Sequence, residues 1–275
     1  MKILVCVKYV PDPDQVVIHP SEDGRIVIGE FSEFRMNRFD EFAVEEAVRI
    51  REGKDDVSID VLTIGPVRSI DVLRRAMGMG ADNGIHLITP MEGYISPMAK
   101  AAWIARYAAG KDYSLILTGA MSEDMMNAQV GPMVAAFLGL PCATQVIQTR
   151  LPSLQGRSSG TVLPDVCPDI YVEREIEGGS REMMTIALPA VLAVQTGINE
   201  PRYPSLSNLL RANKQEIETI AAAVPEGEVS GETDAMVEMV MPEKNRAGMH
   251  LNGSPSEKAE QLIAILREKA FISSI

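Results

Sequence analysis

Apolar residues along the chain fall into two alternating rhythms. Short, nearly unbroken runs of Val, Ile and Leu occur at residues 2–10, Val57–Ile64, Ile85–Ile88 and Leu115–Leu117, as in strands covered on both faces. Helical spacing separates them. After Asn37–Asp40, the residues Phe42, Val44, Ala47 and Val48 form one apolar face, with Arg51 toward water. Further helices are predicted over Ser69–Met77, ended by Gly78 and Gly80, over Pro97–Ala109, and from about Asn127, where Val130, Val134 and Phe137 recur. Val16–Ile18 and Arg25–Ile28 flank a hairpin turning on Glu22, Asp23 and Gly24. The β-α-β-α order with short connections predicts an α/β fold, a mostly parallel sheet with helices on both faces.

From Thr144 the pattern changes to strands at 144–150, 161–163, 170–176 and 183–195, of which Met183–Ala187 and Val191–Val194 should rejoin the main sheet. Two prolines in Asn199–Leu206 predict a loop. Residues 214–253, rich in acids with Pro225, Gly227, Gly231, Pro242 and Gly248, read as an extended arm that packs little. A last helix over Ser256–Ala270 places Ala259, Leu262, Ile263 and Leu266 on one face. The expected division is an α/β nucleotide-binding domain over 1–213, with a loop at about 199–213, and an arm and helix over 214–275.

The stretch Tyr113–Pro141 combines a buried strand, a glycine turn at Gly119, the polar loop Ser122-Glu123-Asp124 and a helix start. That arrangement aims backbone N–H groups at an anionic ligand, although an ordinary strand–helix connection looks the same. The crevice at the carboxyl ends of the strands would be lined near Cys6–Val10, at Ile64-Gly65-Pro66 and from Gly119 onward. Neither GxGxxG after a strand nor GxxxxGK[ST] occurs, so a nucleotide would be held by a different loop.

Composition narrows the function. The 275 residues are 46% hydrophobic and 23% charged, as in ordinary globular chains. A net charge of −12 argues against nucleic acid, which requires a basic footprint. No apolar run is long enough to span a membrane, and the apolar core of MKILVCVKYV is too short for a signal peptide. Cys6, Cys142 and Cys167 are odd in number and lack CxxC spacing, which fits reduced thiols in a cytoplasm. His19, His86 and His250 show no metal-ligand spacing, and no Ser/His/Asp or Cys/His unit is evident. The chain reads as one without side-chain catalysis of its own.

Several blocks carry a resemblance: KILVCVKYVPD at 2–12, MNRFDEFAVEEAVRI at 36–50, MGADNGIHL at 79–87, YVEREIEGG at 171–179, LPAV and NEPRYPSL between 188 and 206, and NRAGM at 245–249. Together they resemble the beta subunit of electron transfer flavoprotein over nearly the whole chain. The resemblance implies an adenine-nucleotide-binding, Rossmann-like fold and a heterodimer with an alpha subunit that holds most of a redox-active FAD. It further implies electron exchange between an acyl-CoA or other flavin dehydrogenase and a downstream acceptor. The beta subunit would bury AMP, or a second FAD in the electron-bifurcating type. A stand-alone adenine-nucleotide sensor is the competing reading.

By the same resemblance the nucleotide contacts Cys6, then Asn37, Arg38, Phe39 and Asp40, and Ile64. The remaining contacts are Gly119, Ala120, Met121, Ser122, Glu123, Asp124, Met125, Met126, Asn127, Ala128, Gln129 and Val130. Read alone, Asn37 is first a helix cap and Cys6 a packing residue, since caps and core residues are commoner than ligands. The loop departs from the family pattern. Gly119, Asp124 and Gln129 keep their places, while the basic residue, the glutamine and the second acid are missing and Met125 and Met126 intrude. Leu206 corresponds to the leucine that the family inserts into a pocket of the partner dehydrogenase. Glu173 and Glu175 read as surface or interface carboxylates able to pair with Arg174.

Overall fold

Consecutive buried residues of each central strand face opposite sides of one sheet, so a run without polar interruptions needs cover on both sides. The computed structural model describes residues 1–20, 26–29, 32–54, 56–89, 94–151, 169–222 and 248–269. The chain divides into two compact units, Met1–Glu238 and Met239–Ile275.

The first unit opens with β1 (Lys2–Cys6), β2 (Tyr9–Pro11), β3 (Ile18–Pro20), β4 (Ile26–Ile28) and β5 (Phe34–Met36). Then come α1 (Arg38–Glu52), β6 (Ser58–Gly65), α2 (Ile70–Met79), β7 (Asn83–Ile88), α3 (Pro97–Ala108), β8 (Leu115–Gly119) and α4 (Val130–Leu138). It continues with β9 (Cys142–Arg150), β10 (Asp169–Glu175), β11 (Arg181–Ala187), β12 (Ala190–Val194), α5 (Leu206–Lys214) and β13 (Ile217–Ala221). The nine-stranded sheet has the order β11-β10-β9-β12-β8-β1-β6-β7-β13. All pairings from β9 to β13 are parallel, and β10 and β11 extend the β9 edge antiparallel.

Ile3 and Val5 of β1, with Leu115 and Leu117 of β8, pack under α1 and α2. Leu4, Cys6 and Ile116 pack on the other side against Trp103, Ile104 and Val134 of α3 and α4. The expected α/β architecture, a mostly parallel sheet with helices on both faces, is therefore present. The chain leaves β1 for β6 and β7 on one side and later enters β8 on the other. Strand order thus reverses between β1 and β8, and a crevice at their carboxyl ends follows from that topology.

Several boundaries differ from the sequence reading. Residues 2–10 are not one strand: pairing breaks at Val7 and Lys8, and β2 turns aside to pair with β5. Helix α1 starts at Arg38, so Arg38, Phe39 and Asp40 form its first turn and Asn37 is the residue before it. Helix α4 starts at Val130 rather than near Asn127, because Met126 and Ala128 have φ of 52° and 53°. Gly78 lies inside α2, where a Cβ would approach Leu209 to 2.8 Å; Gly80, at φ 139°, is the terminator. Ile217–Ala221, assigned to the loose arm, instead add β13 to the sheet edge beside β7. The apolar run at 183–195 divides: β12 enters the middle of the sheet while β11 forms its far edge.

The hairpin strands β3 and β4 pair as expected. The turn residues Glu22–Gly24, the predicted strand at 161–163, Cys167 and residues 223–247 of the predicted arm lie outside the described residues. In the second unit, α6 (Pro255–Glu268) begins with a capping box, Ser254 and Glu257 bonding each other's backbone N–H. Leu262 and Ile263 on it are exposed. Among the described residues no helix is long and apolar enough to cross a membrane.

Candidate functional site

The break after Cys6 brings a cation to the mouth of the crevice. The Lys8 backbone N–H donates to Asp40 Oδ2 at 2.7 Å, and the Gly119 N–H donates to Asp40 Oδ1 at 3.0 Å. One carboxylate from the first turn of α1 therefore links the segment that follows β1 to the last residue of β8, on either side of the strand-order reversal. Gly119 has no room for a side chain: a Cβ there would lie 2.4 Å from Asp40 Oδ1 and 2.6 Å from Phe39 Cβ. Asp40 is buried, and burial pushes its carboxyl up to about 7 against the hydrogen bonds from Lys8, Asn37 and Gly119 that lower it.

The loop after β8 is bound to the β5–α1 junction by polar contacts. Asn37, 1% exposed, donates from Nδ2 to the Met121 carbonyl at 2.9 Å and accepts at Oδ1 from the Glu123 N–H at 3.0 Å. Its side chain does not cap α1. The Glu123 carboxylate takes that position, accepting from the Arg38 N–H at 3.1 Å and from Arg35 Nη2 at 3.0 Å. Lys8 Nζ reaches both oxygens of Asp124 at 2.6 Å and Ser122 Oγ at 3.2 Å. Burial raises the Asp124 carboxyl, but the Lys8 ammonium and the Ser122 hydroxyl outweigh it and hold the group below the usual carboxylate range.

Beneath this polar lid, Cys6, Ile64 and Val130 belong to one apolar layer, and Ala120 is buried beside it. Burial, helped by the Asp40 charge, pushes the Cys6 thiol up, so it is a packing residue and not a nucleophile. Met125, Met126, Asn127, Ala128 and Gln129 are exposed, Met126 by 68%. The Arg38 side chain leaves the crevice for an open groove shared with Phe42, Glu45, Arg49, Thr196 and Asn199.

Of the residues expected from the sequence, Cys6, Asn37, Phe39, Asp40, Ile64 and Gly119–Asp124 lie around one crevice; Lys8 fell within the expected lining Cys6–Val10 without being singled out, and Arg35 was missed. A lone cation at the carboxyl end of a buried strand was the available signal for Lys8; Arg35 had none. Leu206 lies elsewhere, as the first residue of α5 and 74% exposed. The loop before it is anchored by Arg202, whose Nε and Nη2 donate to Glu45 at 2.8 and 2.9 Å while Nη1 reaches Glu52 at 2.7 Å. On the β10–β11 hairpin, Arg174 pairs with Glu182 at 3.5 Å and Arg181 with Glu173 at 3.7 Å, while Glu175 is exposed.

The family model of the electron transfer flavoprotein domain matches residues 25–225, from β4 through the crevice to the strand after α5. The chain belongs to the electron transfer flavoprotein family, among its beta subunits. It is 33% identical over 274 residues to the electron transfer flavoprotein subunit beta of Bos taurus, covering 98% of this chain and 97% of that one. The Bacillus subtilis (strain 168) subunit beta is 30% identical over 275 residues, covering 98% and 99%. The Homo sapiens subunit beta is 32% identical over 274 residues, covering 98% and 97%. Both the crevice and the Leu206 loop thus lie inside the span shared with electron transfer flavoprotein beta subunits.

Proposed function

We infer that the chain pairs with an electron transfer flavoprotein alpha subunit, and that the heterodimer carries electrons between an acyl-CoA or other flavin dehydrogenase and a downstream acceptor. The redox FAD is held mainly by the alpha subunit and supplies the one- and two-electron chemistry. This chain supplies scaffold, partner surface and a crevice for an adenine nucleotide, AMP or a second FAD. The observation that carries the reading is the crevice itself. It sits where strand order reverses between β1 and β8, has an apolar floor of Cys6, Ile64 and Val130, and is rimmed by the loop 119–129. Support for a partner dehydrogenase comes from Leu206, exposed on a rigidly anchored helix in the manner of an interface anchor.

Coexpression with an alpha subunit, followed by extraction and a flavin count, tests the reading. One FAD per heterodimer, with or without AMP, is the expected result for a simple carrier, and two FAD would mark the bifurcating type. A stable monomer that ignores a coexpressed alpha subunit would favour a stand-alone nucleotide sensor instead.

A further inference from the structure

The turn Ile64-Gly65-Pro66 lies at the carboxyl end of β6, and its backbone is held from the neighbouring strand. In β6 the Leu62 carbonyl turns toward β1 and accepts from the Val7 N–H at 2.8 Å. Ile64, two residues on, turns its own N–H and carbonyl the same way, past Cys6, where β1 ends. The Gly65 carbonyl turns the other way, toward β7. It accepts from the Thr89 N–H at 3.2 Å and bonds His86 Nε2 at 3.0 Å. A carbonyl oxygen only accepts, so Nε2 carries the ring proton and Nδ1 is a bare acceptor.

His86 is wholly buried, and its Nδ1 has no hydrogen-bond partner among the described residues. The same holds for the buried hydroxyls of Thr63, its neighbour in the β6–β7 register, and of Ser69, whose Oγ a Cβ on Gly65 would strike. Ile59 and Val61 precede Thr63 in this layer, and Val72, Leu73 and Met77 of α2 cover it. An unpaired buried nitrogen costs more than one net hydrogen bond returns, so an apolar residue at 86 would serve the fold better. The Gly65 carbonyl would keep its bond from Thr89 without the imidazole. Stability does not account for His86, whereas its bond to the crevice turn does.

We propose that His86 is a positioning residue for the crevice, holding the Gly65 carbonyl so that Ile64 presents its backbone to the ligand in one direction. Gly65, at φ 157° and without a Cβ, leaves the peptides on its two sides free to turn against each other. The second bond to its carbonyl removes that freedom before the ligand arrives, so the ligand does not have to order the turn. This rests on the reading of the crevice as an adenine-nucleotide site with Ile64 on its floor.

The test uses the heterodimer of the full chain with its alpha subunit, freed of nucleotide in the beta-subunit crevice. Each protein is titrated calorimetrically with AMP, which is also the adenylate half of FAD, and its melting curve is recorded. His86→Leu removes the donor and the unpaired nitrogen together. It should melt within a few degrees of the wild type yet bind AMP about tenfold more weakly, the scale of one hydrogen bond. His86→Gln can set its amide nitrogen where Nε2 stands and should recover most of the lost affinity, whereas the shorter His86→Asn should not. Ring nitrogen chemical shifts of the wild type, which depend on no variant, should show the proton on Nε2. A Leu variant that binds like the wild type or melts far below it, a Gln variant that binds no better than Asn, or a proton on Nδ1 overturns the assignment of His86 and leaves the nucleotide reading standing. If the wild type does not bind AMP, the nucleotide reading falls, and the role of His86 falls with it.

Discussion

Asp40 receives two backbone N–H groups, from Lys8 and Gly119, and does so out of contact with water. Burial raises its carboxyl from an ordinary 3.8 to about 7. A group whose folded value is raised contributes stability that is complete below its unfolded value and is lost as pH rises through the folded one. Stability of the fold should therefore decline between pH 4 and 7 and level off above, with a contribution from Asp40 on the order of a few kcal/mol. Urea unfolding at pH 5 and pH 8 checks this. Asp40→Asn is less stable at the lower pH, because its amide turns an N–H toward one of the two donors, but its stability changes less between the two pH values. Equal pH dependence in both proteins would assign the titration to another group. The contacts of Asp40 were not visible in the sequence, since its partners lie 32 and 79 positions away. What was legible was its place beside Asn37 at a helix start.

At the scale of elements, α5 is held before and along its length. Arg202 grips Glu45 with a fork of two bonds, Ser205 caps the helix through the Asn208 N–H, and Leu209 and Pro204 press onto Gly78 of α2. Glu45, 5% exposed at its side chain, has no easy substitute partner. Arg202→Gln should cost about 1–3 kcal/mol in urea unfolding, less than a fully buried pair because Arg202 is partly solvated. Arg202→Lys should recover under half of that loss, since an ammonium cannot reproduce the fork. If Leu206 anchors the proposed partner dehydrogenase, Leu206→Ala should leave stability and flavin content intact and slow electron transfer from that dehydrogenase, measured by stopped-flow reduction; unchanged kinetics would remove Leu206 from the partner surface. Residues 199–213 read as a loop in the sequence, although Leu206–Lys214 form α5. The Arg202 fork was not legible either, because it closes over 157 positions of chain.

Across the molecule, the readable strands were those buried on both faces, such as β1, β6 and β8, whose runs admit few polar residues. Strand β13 escaped because four of its five residues are exposed and its sequence, IETIA, carries no continuous apolar signal. Its membership in the sheet has a measurable weight. Ile217 packs on the core, Tyr107 donates to Glu218 at 3.0 Å, and Arg74 binds the Gln215 carbonyl at 2.5 Å. A chain ending at Ala222 should melt higher than one ending at Lys214 by roughly 5–10 °C, as expected for losing a few kcal/mol from a domain this size. Equal melting temperatures would restore the boundary at 213 that composition suggested.

Because β13 follows α5 directly and Arg202 precedes it, the helix bearing Leu206 is clamped at both ends, and its outward residues carry little of the fold. Leu206, Ser207 and Leu210 can change while Arg202, Leu209 and Ala212 stay. On the proposed reading of Leu206 as a partner anchor, such a division is a replaceable faceplate, by which new electron donors could be adopted without rebuilding the sheet behind it.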